Sequence, residues 1–158
     1  MPAVQRGGLW LTAHTIPWYP LTGQGLRIKA SDNLAMLRRL AKDKLIIRRF
    51  RVDMVWGLVN AMDRARLSAS RIRQPSLFLY GLRDEVVPLG PTRQTLMMVP
   101  PANRRVATYP QGYHMLLRDL RGSEVVADLA AWLLDPSTPL PSGADRSGIE
   151  ALLATSAR

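Results

Sequence analysis

The 158 residues include no cysteine. Without thiols the chain has no disulfide framework, no thiolate zinc site and no cysteine nucleophile. Histidine is nearly as scarce. His14 and His114 are the only two, so a multi-histidine metal site is out of reach and neither a metal nor a cofactor is expected. No apolar run approaches the roughly 18 residues of a membrane span. The stretch after Met1 lacks the pattern of a cleaved leader: Thr12, His14 and Thr15 break its apolar part, and no small-residue cleavage site follows. A cytoplasmic location, or one peripheral to a membrane, is the expectation. Acids are few, 12 against 22 Lys and Arg, for a formal net charge of +10.

What is present reads as globular, with 47% hydrophobic and 22% charged residues. The charge is uneven. Residues 1–75 hold 14 Lys and Arg against 4 acids, whereas residues 76–158 hold 8 of each. The excess therefore belongs wholly to the first half, which suits an anionic partner such as a membrane surface or an acidic protein. A nucleic acid is not expected, because the arginines are interspersed along helices and no nucleic-acid-binding motif occurs.

Along the chain, residues 1–30 read as irregular, punctuated by Pro17, Pro20, Gly23 and Gly25. Ser31, Asp32 and Asn33 are helix-capping residues, and Leu34, Leu37 and Leu40 then recur at helical spacing. A second amphipathic helix is predicted over residues 51–67, with Val52, Val55, Trp56, Val59 and Met62 inward. After Pro75 the pattern changes. Residues 76–80, SLFLY, form a short apolar run bounded by proline and glycine, as a buried parallel strand does. A helix over residues 92–99, with Pro91 at its first position, precedes a second strand over 105–109. A third helix follows, capped by Ser123, with Val125, Val126, Leu129, Trp132 and Leu133 on one side. Residues 136–145 are rich in Pro, Ser and Gly, and 149–154 could add a helical turn. Strand, helix, strand, helix is the α/β pattern of a parallel sheet.

Such sheets carry their chemistry past the carboxyl ends of the strands. Asp84 falls four residues beyond Tyr80, and His114 five beyond Tyr109. A carboxylate that accepts the imidazole Nδ1 proton fixes the tautomer and leaves Nε2 free to act as a base. On spacing alone, an aspartate in a turn and a single histidine are common and carry little weight.

Their surroundings carry more. LFLYGLRDEVVP resembles the acid loop of the α/β-hydrolase superfamily through Gly81, Asp84, Val86, Val87 and Pro88. YPQGYHMLLRD resembles its histidine loop through Gly112, His114, Leu116, Leu117 and Asp119. The order, acid before histidine, is that of the superfamily. The nearest likeness is to the monoacylglycerol lipase and lysophospholipase branch, the S33-type serine aminopeptidases. It implies an incomplete α/β-hydrolase fold: a helical cap over residues 1–74, the last two core strands and their helices over 75–135, and a flexible tail over 136–158. It also implies that Asp84 and His114 are catalytic and that the substrate is a lipid ester.

One part of the family pattern is absent. No serine stands in a G-x-S-x-G elbow, and the early oxyanion loop is missing. The resemblance therefore implies the C-terminal half of a serine hydrolase, inactive alone and in need of an N-terminal half. The alternative is a non-catalytic remnant that binds lipid, a membrane surface or a partner through its basic cap.

Overall fold

A computed structural model describes residues 1, 3–23, 25–146 and 148–154. The chain divides into two units: residues 1–27 with 42–68, and residues 28–41 with 69–158. Residues 28–41, expected within a cap running to position 74, belong to the second unit. Their polar side chains bond there, as described below.

In the first unit, helix α1 (Ala3–Thr15) packs on helix α3 (Val52–Ser68). Short strands β1 (Pro20–Thr22) and β2 (Arg49–Arg51) pair antiparallel. The helix α1 corrects the expectation that residues 1–30 are irregular. Gly7, Gly8 and three polar residues mask its helical tendency, but each polar side chain finds a local acceptor. The Thr12 and Thr15 hydroxyls donate to the Gly8 and Leu11 carbonyls at 2.9 and 2.8 Å, and His14 Nδ1 lies 2.7 Å from the Trp10 carbonyl. Arg6 pairs with Asp63, donates to Asn60 Oδ1 at 3.2 Å and lies over the Trp56 ring. The inner face of α3 is thus partly polar, and Met62 is exposed where the apolar spacing placed it inside.

In the second unit, strands β3 (Ser76–Gly81) and β4 (Arg104–Tyr109) run parallel, with Ser76 opposite Arg104 and Gly81 opposite Tyr109. Helix α4 (Leu89–Met98) makes the crossover. It begins three residues before the expected start and puts Pro91 third; the first turn needs no intrahelical N–H donors, so proline is tolerated there. Side chains alternate across the two strands. Phe78, Tyr80 and Val106 pack with Leu96 of α4 and with Leu152 of helix α6 (Gly148–Ala154). Leu77, Leu79, Ala107 and Tyr109 pack with Val125 and Trp132 of helix α5 (Gly122–Leu134) and with Leu140.

Two expectations change here. Parts of the segment after 136 pack against the sheet, within residues 140–146 and 148–154. Leu140 and Leu152 are buried, the Thr108 amide donates to the Ala144 carbonyl at 3.0 Å, and burying one leucine contributes about 1.5–3 kcal/mol. Residues 155–158 of the expected tail lie outside the described residues. Helix α5 starts at Gly122 rather than after a Ser123 cap, and its inner face centres on Asp128, while Val126 and Leu133 are exposed. The Asp128 carboxylate is fully buried. It accepts from the Tyr109 hydroxyl at 2.8 Å, from the Ser142 amide at 2.9 Å and from the Ser142 hydroxyl. Burial, followed by the hydrogen bond to Asp128, raises the Tyr109 phenol pKa.

Candidate active site

The loops after β3 and β4 lie side by side because two glycines meet. Added to Gly81, a Cβ would lie 2.5 Å from the Gly112 carbonyl carbon and 2.7 Å from the Tyr113 carbonyl oxygen. At Gly112, it would lie 2.9 Å from the Tyr109 Cβ and 3.2 Å from the Gly81 Cα. No L side chain fits either place without displacing backbone or a packed side chain. The contact is locked by backbone bonds: Leu82 N–H to the Tyr109 carbonyl at 3.0 Å, and Arg83 N–H to the Gly112 carbonyl at 2.9 Å.

On this base stand Asp84 and His114. Asp84 closes a turn, its amide donating to the Gly81 carbonyl at 3.0 Å. Its Oδ1 accepts the Val86 and Val87 amides at 2.7 and 2.9 Å, and the Tyr80 hydroxyl ties the same loop down through the Val87 carbonyl at 2.9 Å. With Oδ1 occupied, Oδ2 points to His114 Nδ1 at 3.0 Å. The Asp84 side chain is 7% exposed and that of His114 40%. The imidazole is therefore anchored at Nδ1 on a sheltered carboxylate while its other edge is open. Both residues picked from the sequence are brought together.

A second carboxylate shapes the histidine loop. Asp119 Oδ2 accepts the Tyr113 amide at 2.8 Å, and its Oδ1 accepts the Ser31 hydroxyl at 2.5 Å. Ser31 is completely buried. The Met115 amide donates to the Ala30 carbonyl at 3.0 Å, and Asn33 Nδ2 donates to the Arg118 carbonyl at 3.0 Å. The residues just before helix α2 (Leu34–Lys42) thus clamp the loop on both sides of His114. Asn33 also caps α2 through the Met36 amide at 3.0 Å. The capping role was readable in the sequence. The clamp was not, because its partners lie more than 80 residues apart. A recess of about 40 Å³ under this loop is lined by Tyr109, Leu116, Asp119 and Val125. It has room for a water or two.

A family model described as serine aminopeptidase, S33, matches residues 1–121, which include both loops. The chain belongs to the S33 serine aminopeptidase family. No curated protein matches this family member. Among solved structures, it is similar to the monoacylglycerol lipase of Paleococcus ferrophilus, with a TM-score of 0.73 at 24% identity. The match covers 87% of this S33 chain and 54% of the lipase, so the chain spans about half the length of that relative. The shared fold is that of an α/β-hydrolase. Among the described residues of this family member, no helix is long and apolar enough to cross a membrane.

Proposed function

We propose that this chain is the acid–base half of a serine hydrolase acting on a carboxylic ester of a lipid, resembling a monoacylglycerol or lysophospholipid. The observation that carries the reading is the 3.0 Å contact between Asp84 Oδ2 and His114 Nδ1, with Oδ1 already held by two amides. In that geometry Nδ1 keeps its proton, and Nε2 takes the proton of an attacking serine hydroxyl and then delivers it to the leaving alcohol. Asp84 stabilises the imidazolium that forms between those steps. The serine and the oxyanion donors come from outside these 158 residues, since no G-x-S-x-G occurs in them. The first unit corresponds to the helical cap of the family. A serine-directed fluorophosphonate tests the division of labour: the chain alone should remain unlabelled. Labelling that vanishes in His114→Ala would show that one of its own serines is the nucleophile.

A second reading, a membrane-docking module, rests on residues 42–51 of the first unit. Leu45 is 88% exposed, and Ile46, Ile47 and Phe50 are exposed as well. They alternate with Lys42, Lys44, Arg48, Arg49 and Arg51, against the single acid Asp43. Apolar side chains interleaved with cations suit an anionic bilayer surface. The chain should sediment with phosphatidylglycerol vesicles and not with phosphatidylcholine vesicles. Ile47→Asp with Phe50→Asp should abolish the difference; equal binding to both vesicle types would remove the reading.

A further inference from the structure

The residue before each member of the pair is also engaged. Tyr113 precedes His114, and Arg83 precedes Asp84. Lys29 Nζ donates to the Tyr113 phenol oxygen at 3.1 Å, and Arg83 Nη1 approaches the same oxygen at 3.5 Å. The ammonium stands 4.7 Å from the centre of the Tyr113 ring, and the guanidinium carbon 6.0 Å from it. The ring itself is buried. Lys29 is fixed by its backbone, its amide donating to Glu85 Oε2 at 2.8 Å, and the next residue, Ala30, is bonded to the histidine loop.

Among the described residues neither Lys29 nor Arg83 pairs with a carboxylate, and both face solvent. An ordinary lysine or arginine there would be free to swing apart from its neighbour, which like-charge repulsion favours. Here one phenol oxygen holds both, so the two nitrogens stay within the combined length of those two bonds. The pair also draws the phenol pKa below its ordinary value, Arg83 contributing most and Lys29 next. Two positive side chains held together with neither in an ion pair of its own among the described residues, the Glu85 carboxylate being taken up by the Lys29 amide, one a planar fork and one a point charge, form a receptor for a dianion.

We infer that Lys29 and Arg83, anchored on Tyr113, bind the phosphate of a phosphate monoester beside the Asp84–His114 pair. The placement of that phosphate on an acyl-ester substrate rests on the hydrolase reading; the anion site itself rests on the cluster. Arg83 supplies paired N–H donors to two phosphate oxygens, and Lys29 neutralises the third. The phenol stays with the cations as their spacer.

The test is a binding titration of the full chain with two probes, inorganic phosphate and a short-chain 1-acylglycerol 3-phosphate below its micellar concentration. Each should bind at one site. Lys29→Gln and Arg83→Gln change exposed side chains, and each should weaken binding about tenfold or more, the loss of one charge-assisted contact, with the far-ultraviolet circular dichroism unchanged. Arg39→Gln, on the exposed side of α2, should have no effect. Saturating phosphate should also raise the pH at which Tyr113 ionises, read at 295 nm against Tyr113→Phe, because the anion offsets the two cations. Tighter binding of the acylated probe supports a substrate head group, and equal binding supports a free phosphate ligand. Affinity indifferent to both substitutions, or an unmoved Tyr113 titration, overturns the site. Failure of the hydrolase reading is seen separately, in ester turnover, which none of these measurements uses.

Discussion

Asp84→Asn should lower kcat for ester hydrolysis about 10³–10⁴-fold in the hydrolase assembled from this chain and the segment bearing its serine, with KM little changed. The size of the effect follows from which oxygen is held. Oδ1 accepts two amides, so only the oxygen of an asparagine can sit there. The amide nitrogen must then replace Oδ2 and present its protons to His114 Nδ1. A donor facing Nδ1 drives the imidazole proton to Nε2, the position that has to be empty to accept the serine proton. The tautomer can be read in the isolated chain by ¹⁵N NMR of the imidazole. The parent should carry its proton on Nδ1 and Asp84→Asn on Nε2. His114→Ala should lose a comparable factor in turnover without any tautomer to observe. Unaltered turnover in Asp84→Asn, or an unchanged tautomer, would refute the assignment of Asp84 as the orienting acid.

The largest stability effect should come from Asp128→Ala. Three donors converge on that carboxylate: the Tyr109 hydroxyl from β4, and the Ser142 amide and hydroxyl from the segment after α5. Alanine leaves all three without a partner in a region where Asp128 is completely buried. Each buried donor left unsatisfied costs about 1–3 kcal/mol, together a large part of the ~5–15 kcal/mol that holds a typical domain together. Asp128→Asn keeps one acceptor and should lose less. Urea unfolding of the two variants against the parent measures both. A loss under about 1 kcal/mol for alanine would mean the hub is a bystander to packing. The sign with pH is fixed by Tyr109. Its phenol pKa is raised in the folded chain, so its contribution is complete below pH 10, the unperturbed phenol value, and declines as the pH rises above it.

Asp128 also marks where sequence reading stops. The strand β3 was legible because SLFLY is wholly apolar after its serine and bounded by Pro75 and Gly81, and β4 because RVATY lies between the Pro100–Pro101 turn and Pro110. Asp84 and His114 were legible because each follows such a strand inside a recognisable loop. The inner face of α5 was not, since it is organised by a charged residue and leaves Val126 and Leu133 outside. Ser31 and Asp119 bond across 88 positions, and a polar pair at that separation leaves no periodic trace. Helix α1 was hidden by Gly7, Gly8 and its threonines, whose hydroxyls are satisfied within the helix itself. The segment after Pro136 has the composition of a linker, yet buried leucines at 140 and 152 and the bonds of Ser142 to Asp128 seat it.

The facing glycines at 81 and 112 have a consequence for tolerance to change. Backbone resting on backbone is a hard stop, set by atomic radii rather than by the identity of any side chain. Drift elsewhere in the core can tilt the strands or loosen the helices, but the acid and histidine loops cannot approach further. Larger side chains at either position can only drive them apart. The distance between the Asp84 carboxylate and the His114 ring is thereby gauged by two residues that have no side chain of their own, and the gauge works in one direction only.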